Sequence, residues 1–293
     1  MWIILSLSAS LIWAVVHVVD KFVLTKWIKN PVIPILIFSV VGLLVSVVAC
    51  LFSGFSFLSP LNASLALVAG IIYILMNWFY LKAVQLEEVS RVVPFFYLTP
   101  LFTVLFAGLF LKEFLSAVQY FGTFLLIVGA VLITLKRPIK FFFNIAFRFM
   151  FFSVIFWAVY SVIVKYLLNF NDFWTIFLYI RTGVFIGAIP LFYFYLPELK
   201  RVIKNKGKKV LGLVSLNEFL NLGAVSLSML AVSLGFVGLV SALSSTEPFF
   251  VLFFTVILSV FYPKILKEEL SGSVIVLKLV AITSIFIGVF LIA

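Results

Sequence analysis

"IWAVVHVVDKFVL", residues 12–24, returns in the second half of the chain as "FWAVYSVIVKYLL", residues 156–168. Trp13 aligns with Trp157, Ala14 with Ala158, Lys21 with Lys165 and Leu24 with Leu168. "LKEFLS" (111–116) likewise returns as "LKEELS" (266–271), and the surroundings of Pro100 return around Pro248. Apolar helices resemble one another by chance, so one match means little. Several matches in the same order read as a duplicated unit. The two copies are assigned to residues 1–140 and 141–293, with extra residues in the second around "FYPKI" (261–265).

The duplicated unit belongs in lipid. Hydrophobic residues make up 65% of the 293-residue chain and charged residues only 11%, whereas a soluble domain is about 45–50% apolar. No single water-soluble core could hide that surface, so the bilayer is the solvent. A helix needs about 20 apolar residues to cross the hydrocarbon. Ten segments fit: 2–20, 31–53, 62–81, 91–111, 115–135, 149–168, 173–196, 210–233, 236–261 and 272–292. Five spans per copy is an odd number, so the copies cross in opposite directions. The expected fold is an all-α integral membrane protein, with ten transmembrane helices as two inverted five-helix repeats around a central cavity. Such repeats are a recurrent architecture of secondary transporters, with the site between the halves near the midplane.

The net charge of +11 does not point to nucleic acid, because the basic residues sit in short gaps between apolar runs. Lys21, Lys26 and Lys29 follow the first segment, Lys82 and Arg91 the third, beside Glu87 and Glu88. Lys136, Arg137, Lys140 and Arg148 follow the fifth, and Lys264 and Lys267 the ninth. Lys200, Arg201, Lys204, Lys206, Lys208 and Lys209 follow the seventh. The alternate gaps hold only Lys112 and Lys165. The positive-inside rule then puts the odd gaps in the cytoplasm and both termini outside. The first segment lacks a basic n-region and a cleavage site, and reads as a retained span.

The single cysteine, Cys50, allows no intrachain disulfide. No zinc spacing, ATP-binding motif or nucleophile elbow is present in the sequence, so no enzyme activity and no cofactor are expected. The expected partners are a small-molecule solute and membrane lipids, for a monomer in a cell membrane, bacterial or archaeal inner membrane.

Charges inside a span are costly and mark function. Arg181, Glu218, Glu247 and Lys278 qualify. At about 1.5 Å of rise per residue, the first three share a slab a few ångströms thick. Arg181 is suited to fork onto a carboxylate or phosphate. A Glu in a low-dielectric site can take up and release a proton. A static ion pair that locks the packing is the competing reading. Pro248, directly after Glu247 in "ALSSTEPFFVLFF" (242–254), and Pro100 are expected to break their helices toward a cavity or a packing contact. Trp13, His17 and Asp20 fall on one face of the first segment, with Asp20 and Lys21 near the interface, snorkelling or paired. His17, the only histidine, could relay protons or simply be hydrogen-bonded. Asn77, Tyr80, Asn217 and Asn221 either line the cavity or bridge helices, and Trp157 repeats Trp13. Gly122 and Gly129 suit close helix contact. The functional reading is a secondary transporter moving a small organic solute by alternating access, proton-coupled or by exchange. The alternatives are flippase-like handling of lipid-linked headgroups and a non-transporting membrane scaffold.

These residues resemble the drug/metabolite transporter superfamily, EamA type. Trp13 to Lys21 and Trp157 to Lys165 match its first-helix pattern. Ala83, Pro100 and Glu113, then Ala231, Pro248 and Glu268, resemble its later half-repeat. "QYFGTFLLIVGAVLI" (119–133) is similar to its final helix. Copy two has Arg181 where the family often has an arginine, whereas copy one has Ser39 or a neighbour there. The resemblance implies ten helices around a central cavity, transport of small organic solutes, and cytoplasmic termini, opposite to the charge distribution.

Overall fold

The structure, a computed structural model, describes residues 1–28, 30–86, 93–134, 145–206, 208–261 and 272–293. Lys29, Glu87, Glu88, Arg91, Lys136, Arg137, Lys140, Lys264, Lys267, Glu268 and most of "FYPKI" lie outside the described residues. Among the described residues every regular element is helical. In lipid each backbone N–H and C=O must find its partner within the protein, and a helix does this by itself.

The elements are α1 (Trp2–Lys26), α2 (Val32–Ser53), α3 (Pro60–Leu86) and α4 (Thr99–Phe106), then α5 (Ala117–Thr134) and α6 (Ile145–Leu168). They continue as α7 (Phe173–Lys206), α8 (Lys208–Leu234), α9 (Val237–Ser244), α10 (Glu247–Phe261) and α11 (Gly272–Ile292). Seven stretches among them are long and apolar enough to cross a membrane: Trp2–Leu24, Val32–Ser53, Pro60–Ala83, Ile145–Leu168, Phe173–Lys204, Lys209–Leu234 and Val237–Phe254. Phe95–Leu111, Ala117–Leu132 and Val276–Ile292 are shorter apolar helices. The chain is thus a multi-pass membrane protein by length and composition.

Three expected segments differ in detail. The fourth is not one α-helix: Val93–Leu98 is 3₁₀, Pro100 stands in the first turn of α4, and Ala107–Leu111 winds as a π-helix. The ninth is two helices, α9 and α10, meeting at Ser245 and Thr246. There the Ser245 and Thr246 N–H groups reach back to the carbonyls of Ala242 and Leu243, both at 3.0 Å. Glu247 and Pro248 then open α10, a position where a ring nitrogen without a proton costs no helical hydrogen bond. The seventh runs on past residue 196 to Lys206, with Pro190 and Pro197 inside it.

The distribution of side chains is that of a membrane protein. Leu51, Phe52, Phe110 and Phe290 are exposed, the last by 81%, while Arg181, Glu218, Asn217 and Glu247 are buried. A water-soluble surface would not carry so many bare aromatic and aliphatic groups. Inside, α1 packs on α8 and α3 on α6; α2 packs on α7, α5 on α11, and α4 on α9. α3 also crosses α7, and α2 crosses α8.

Two crossings are close because glycine removes the side chain. A Cβ on Gly288 of α11 would lie 2.8 Å from the Gly122 carbonyl oxygen of α5, and one on Gly129 would lie 2.8 Å from the Ala281 carbonyl. Helix association in lipid relies on such van der Waals contact. Gly183 of α7 sits likewise on the backbone of α3, where a Cβ would come 2.8 Å from Leu67 Cα. Gly183→Leu is expected to destabilise the protein by at least about 1–3 kcal/mol, the usual cost of overpacking. Thermal unfolding in detergent checks this; an unchanged midpoint would show that α3 and α7 separate freely.

Asp172 starts α7. Its Oδ1 accepts from the Thr175 N–H at 3.0 Å and its Oδ2 from the Ser56 hydroxyl at 3.0 Å. Burial pushes this carboxyl up, but the hydrogen bonds from Thr175, Ser56 and the Trp174 N–H outweigh it and hold it below the usual aspartate range. A carboxylate depressed in the folded state stabilises above its unfolded value and loses that contribution as pH falls through the folded one. Asp172→Ala is expected to cost about 1 kcal/mol near neutral pH, as for other lost N-caps, and nothing in strong acid. Melting curves at the two pH values read both; an equal loss in acid would contradict the assignment.

Candidate functional site

A cavity of about 130 Å³ lies between the two halves, large enough for several waters. α1 contributes Trp13, Val16, His17 and Asp20, at the residue spacing of one helical face. α2 adds Pro34 and Phe38; α3 adds Tyr73, Met76, Asn77, Tyr80 and Leu81. The irregular stretch before and into α4 adds Phe96, Tyr97, Thr99 and Pro100. From the second half come Trp157 of α6, Asn217, Glu218 and Asn221 of α8, Ser241 and Ser244 of α9, then Ser245 and Glu247 at the break.

Two polar clusters meet on this wall. In the deeper one, Asn221 accepts from the Trp13 indole N–H at 3.2 Å. Its amide NH₂ donates to Glu218 Oε2 at 3.0 Å and to the Tyr73 hydroxyl at 3.3 Å. Asn221 and Glu218 are three residues apart on α8, so one helix face aims both. In the second cluster His17 stands between two carboxylates. Its Nε2 is 3.5 Å from Glu247 Oε1 and its Nδ1 is 4.0 Å from Asp20 Oδ2. Asp20 Oδ1 accepts from the Asn217 amide at 2.7 Å. The Tyr80 and Phe96 rings pack on His17, with centroids 6.0 and 6.5 Å away.

Of the residues singled out in the sequence, Trp13, His17, Asn77, Tyr80, Pro100, Trp157, Glu218, Asn221 and Glu247 are on the wall. Arg181 and Pro248 are not. Arg181 of α7 is one layer behind, 1% exposed. Its Nη1 is 3.8 Å from Glu218 Oε1, and its guanidinium lies over the rings of Tyr73 and Phe177 at 5.1 and 5.2 Å. Gly42 of α2 makes room for it, since a Cβ there would be 3.3 Å from Arg181 Cδ. The expectation that Arg181 forks onto a solute gives way to a charge that balances Glu218. Depth along a helix fixes a residue's height in the bilayer but not which way it faces. Asp20, expected to snorkel or be paired near the interface, is paired: Asn217 and His17 hold it on the cavity wall.

Tyr73, Phe38, Phe96 and Thr99 were not singled out. Aromatic residues are too common here to stand out, with 37 phenylalanines. Tyr73 had one usable signal: it lies four residues, one helical turn, before Asn77, and its hydroxyl accepts from Asn221, an asparagine that the sequence did mark.

Trp13 and Trp157 meet edge to face at 5.8 Å. Both also border a second, smaller cavity of about 30 Å³, lined by Tyr160, Ser161 and Val164 of α6 and by Val225, Ser228, Met229 and Val232 of α8. Beyond it the chain is closed by a buried ion pair. Lys165 donates to the carbonyls of Val232 at 2.8 Å and Gly235 at 2.9 Å, and stands 3.7 Å from Glu113 Oε1. Glu113 Oε2 accepts from the Val237 N–H at 2.9 Å. Lys112, in the left-handed conformation at φ 57°, turns the chain so that Glu113 reaches this place. The contrast in access is plain: the Lys165 and Glu113 side chains are 9% and 11% exposed, while those of His17 and Asp20 are 24% and 31% exposed.

Residues 1–135 match the model of the EamA-like transporter family, a family of the drug/metabolite transporter superfamily. No curated protein matches the sequence. Among solved structures, one titled only "Crystal structure of protein" is similar over 98% of this chain and 97% of its own, with a TM-score of 0.69 and 18% identity. That likeness concerns the fold alone.

Proposed function

We infer, from a chain whose residues 1–135 match the model of the EamA-like transporter family, that the protein is a secondary transporter of a small organic solute, working by alternating access. One observation carries this reading: positions equivalent in the two copies line the two cavities. His17 and Asp20 border the wide cavity, and their counterparts Ser161 and Val164 border the narrow one. In the register that aligns Ala83 with Ala231, Asn77, Tyr80 and Leu81 border the wide cavity. Their counterparts Val225, Ser228 and Met229 border the narrow one. The two cavities are then the same passage, one half open and the other shut, with the Trp13–Trp157 contact between them.

Helix pairing supports the repeat. α1 on α8 mirrors α6 on α3, α2 on α7 and α5 on α11 are self-symmetric, and α4 on α6 mirrors α9 and α10 on α1. The reading is therefore ten spans as two inverted copies, residues 1–140 and 141–293. By the distribution of Lys and Arg the wide mouth faces the cytoplasm, in a cell membrane of a bacterium or archaeon, with the chain acting as a monomer. Reversal requires the Lys165–Glu113 contact to open and the other end to close. Glu247, Asp20 and His17 are the groups that exchange protons with the wide mouth. Glu218 and Arg181 hold the floor, through Asn221, under Trp13. A polar cavity of this kind is superfluous in a scaffold, since buried polar groups in a membrane are costly.

Reconstitution into liposomes tests it. A pH gradient, or an excess of unlabelled solute on the far side, is expected to drive uptake of at least one labelled solute from a panel of amines, amino acids and organic acids. Trp157→Ala is expected to remove that uptake. Empty and protein-loaded liposomes behaving alike across the panel would refute the reading.

A further inference from the structure

The chemistry of the wide cavity points to one class of solute. We propose that it binds a protonated organic amine, with the ammonium N–H groups held at Asp20 and Glu247 and an apolar or aromatic body against Trp13, Tyr80, Phe96 and Trp157. This rests on the transport reading above and names its substrate.

Charge is the first reason. Asp20, Glu218 and Glu247 line the wall, and among the described residues no Lys or Arg does. Arg181 lies behind the wall, its Nη1 at ion-pair distance, 3.8 Å, from Glu218 Oε1 without a hydrogen bond. Among the described residues His17 stands between the remaining carboxylates, Asp20 and Glu247, and Asp20 also accepts from the neutral Asn217 amide. An anionic solute would oppose the ionisation of these two carboxyl groups and find no basic side chain on the described wall to hold it. A cation would offset charge that is otherwise expensive to bury.

Hydrogen bonding is the second reason and is independent of charge. Ser245 Oγ and Thr99 Oγ1 belong to residues only 1% and 5% exposed on the wall, and neither has a protein partner; Asn217 Oδ1, also on the wall, is unpartnered as well. Buried polar atoms of this sort are normally satisfied. Asn217 Oδ1 can only accept and the two hydroxyls can accept or donate, while the wall's amide donors are already engaged: Asn217 with Asp20, Asn221 with Glu218 and Tyr73, and Asn77 with the Tyr73 carbonyl at 2.9 Å. A donor-rich group fits this wall, and ammonium has donors and no acceptor. The aromatic faces supply the third element, since they attract cations and bury apolar surface.

Binding to the purified full-length protein in detergent near neutral pH tests the proposal. The probes are benzylamine, benzyltrimethylammonium, benzyl alcohol and phenylacetate, read by calorimetry. Benzylamine is expected to bind at least tenfold more tightly than each of the others. Asp20→Asn and Glu247→Gln, which keep side-chain shape, are each expected to weaken it about tenfold or more; if one variant does not fold, the other carries the test. Equal or tighter binding of phenylacetate, of benzyl alcohol or of the quaternary cation would overturn the amine assignment. So would unaltered benzylamine affinity in the folded variants. In those cases liposome uptake of another solute would still uphold transport, whereas absence of both binding and uptake would overturn both.

Discussion

Arg181→Met is expected to destabilise the protein by about 3–5 kcal/mol, the cost of leaving a buried ion without its partner. The guanidinium is 1% exposed, 3.8 Å from Glu218, and sandwiched near the Tyr73 and Phe177 rings. Methionine fills much of the space and supplies no charge. Glu218 would then stand alone in a wall that Asn221 cannot neutralise. The companion experiment is the pair Arg181→Met with Glu218→Gln. Removing both charges takes away the desolvation cost together with the attraction, so the double variant should recover most of the loss. Thermal unfolding of the three proteins in one detergent reads the cycle. A double variant as unstable as Arg181→Met alone would mean that the arginine matters for its packing on the two rings and not for its charge.

Glu247→Gln is expected to abolish the dependence of transport on a pH gradient while the protein remains folded. Glutamine keeps the size of the side chain and an oxygen 3.5 Å from His17 Nε2, but it cannot exchange a proton. Its position at the start of α10, after the turn at Ser245 and Thr246, is unaffected. Solute counterflow without a pH gradient should survive at a reduced rate, and pH-driven flux should fall to the level of empty liposomes. Full pH-driven flux in the folded variant would remove Glu247 from proton coupling.

Much of the architecture was legible because lipid leaves a chain few options. Apolar runs of spanning length, split by short basic gaps, fix where helices lie. The Trp13/Trp157 repeat is the basis of the proposed correspondence between halves. Polar groups could be marked for the same reason: each costs free energy in a span, so each needs a use. What the sequence did not carry was direction and local winding. Arg181 shares a depth with Glu218 and Glu247, yet it faces Glu218 from the far side, a matter of helix rotation. Pro248 marked a break, but the break is a turn at Ser245 and Thr246 that ends one helix and starts another. Asp20 was expected to snorkel or pair, but its partner Asn217 comes from α8, 197 residues away in sequence, and could not be read from the first segment. Gly183 gave no sign of its crossing with Leu67, because a close contact between helices belongs to both partners and one sequence segment shows only half.

Accessibility on the walls of the two cavities tests the alternating-access account most directly. In a Cys50→Ala background, Asn77→Cys on the wide wall and Ser161→Cys on the narrow one are treated with a water-soluble thiol reagent, each alone and combined with Glu113→Gln. The account predicts rapid labelling at 77 and slow labelling at 161 in the parent. Loosening the Lys165–Glu113 contact should reverse that order, raising the rate at 161 and lowering it at 77. Rates at the two positions that rise together, or that ignore Glu113→Gln, would mean that the cavities are not two halves of one gated passage.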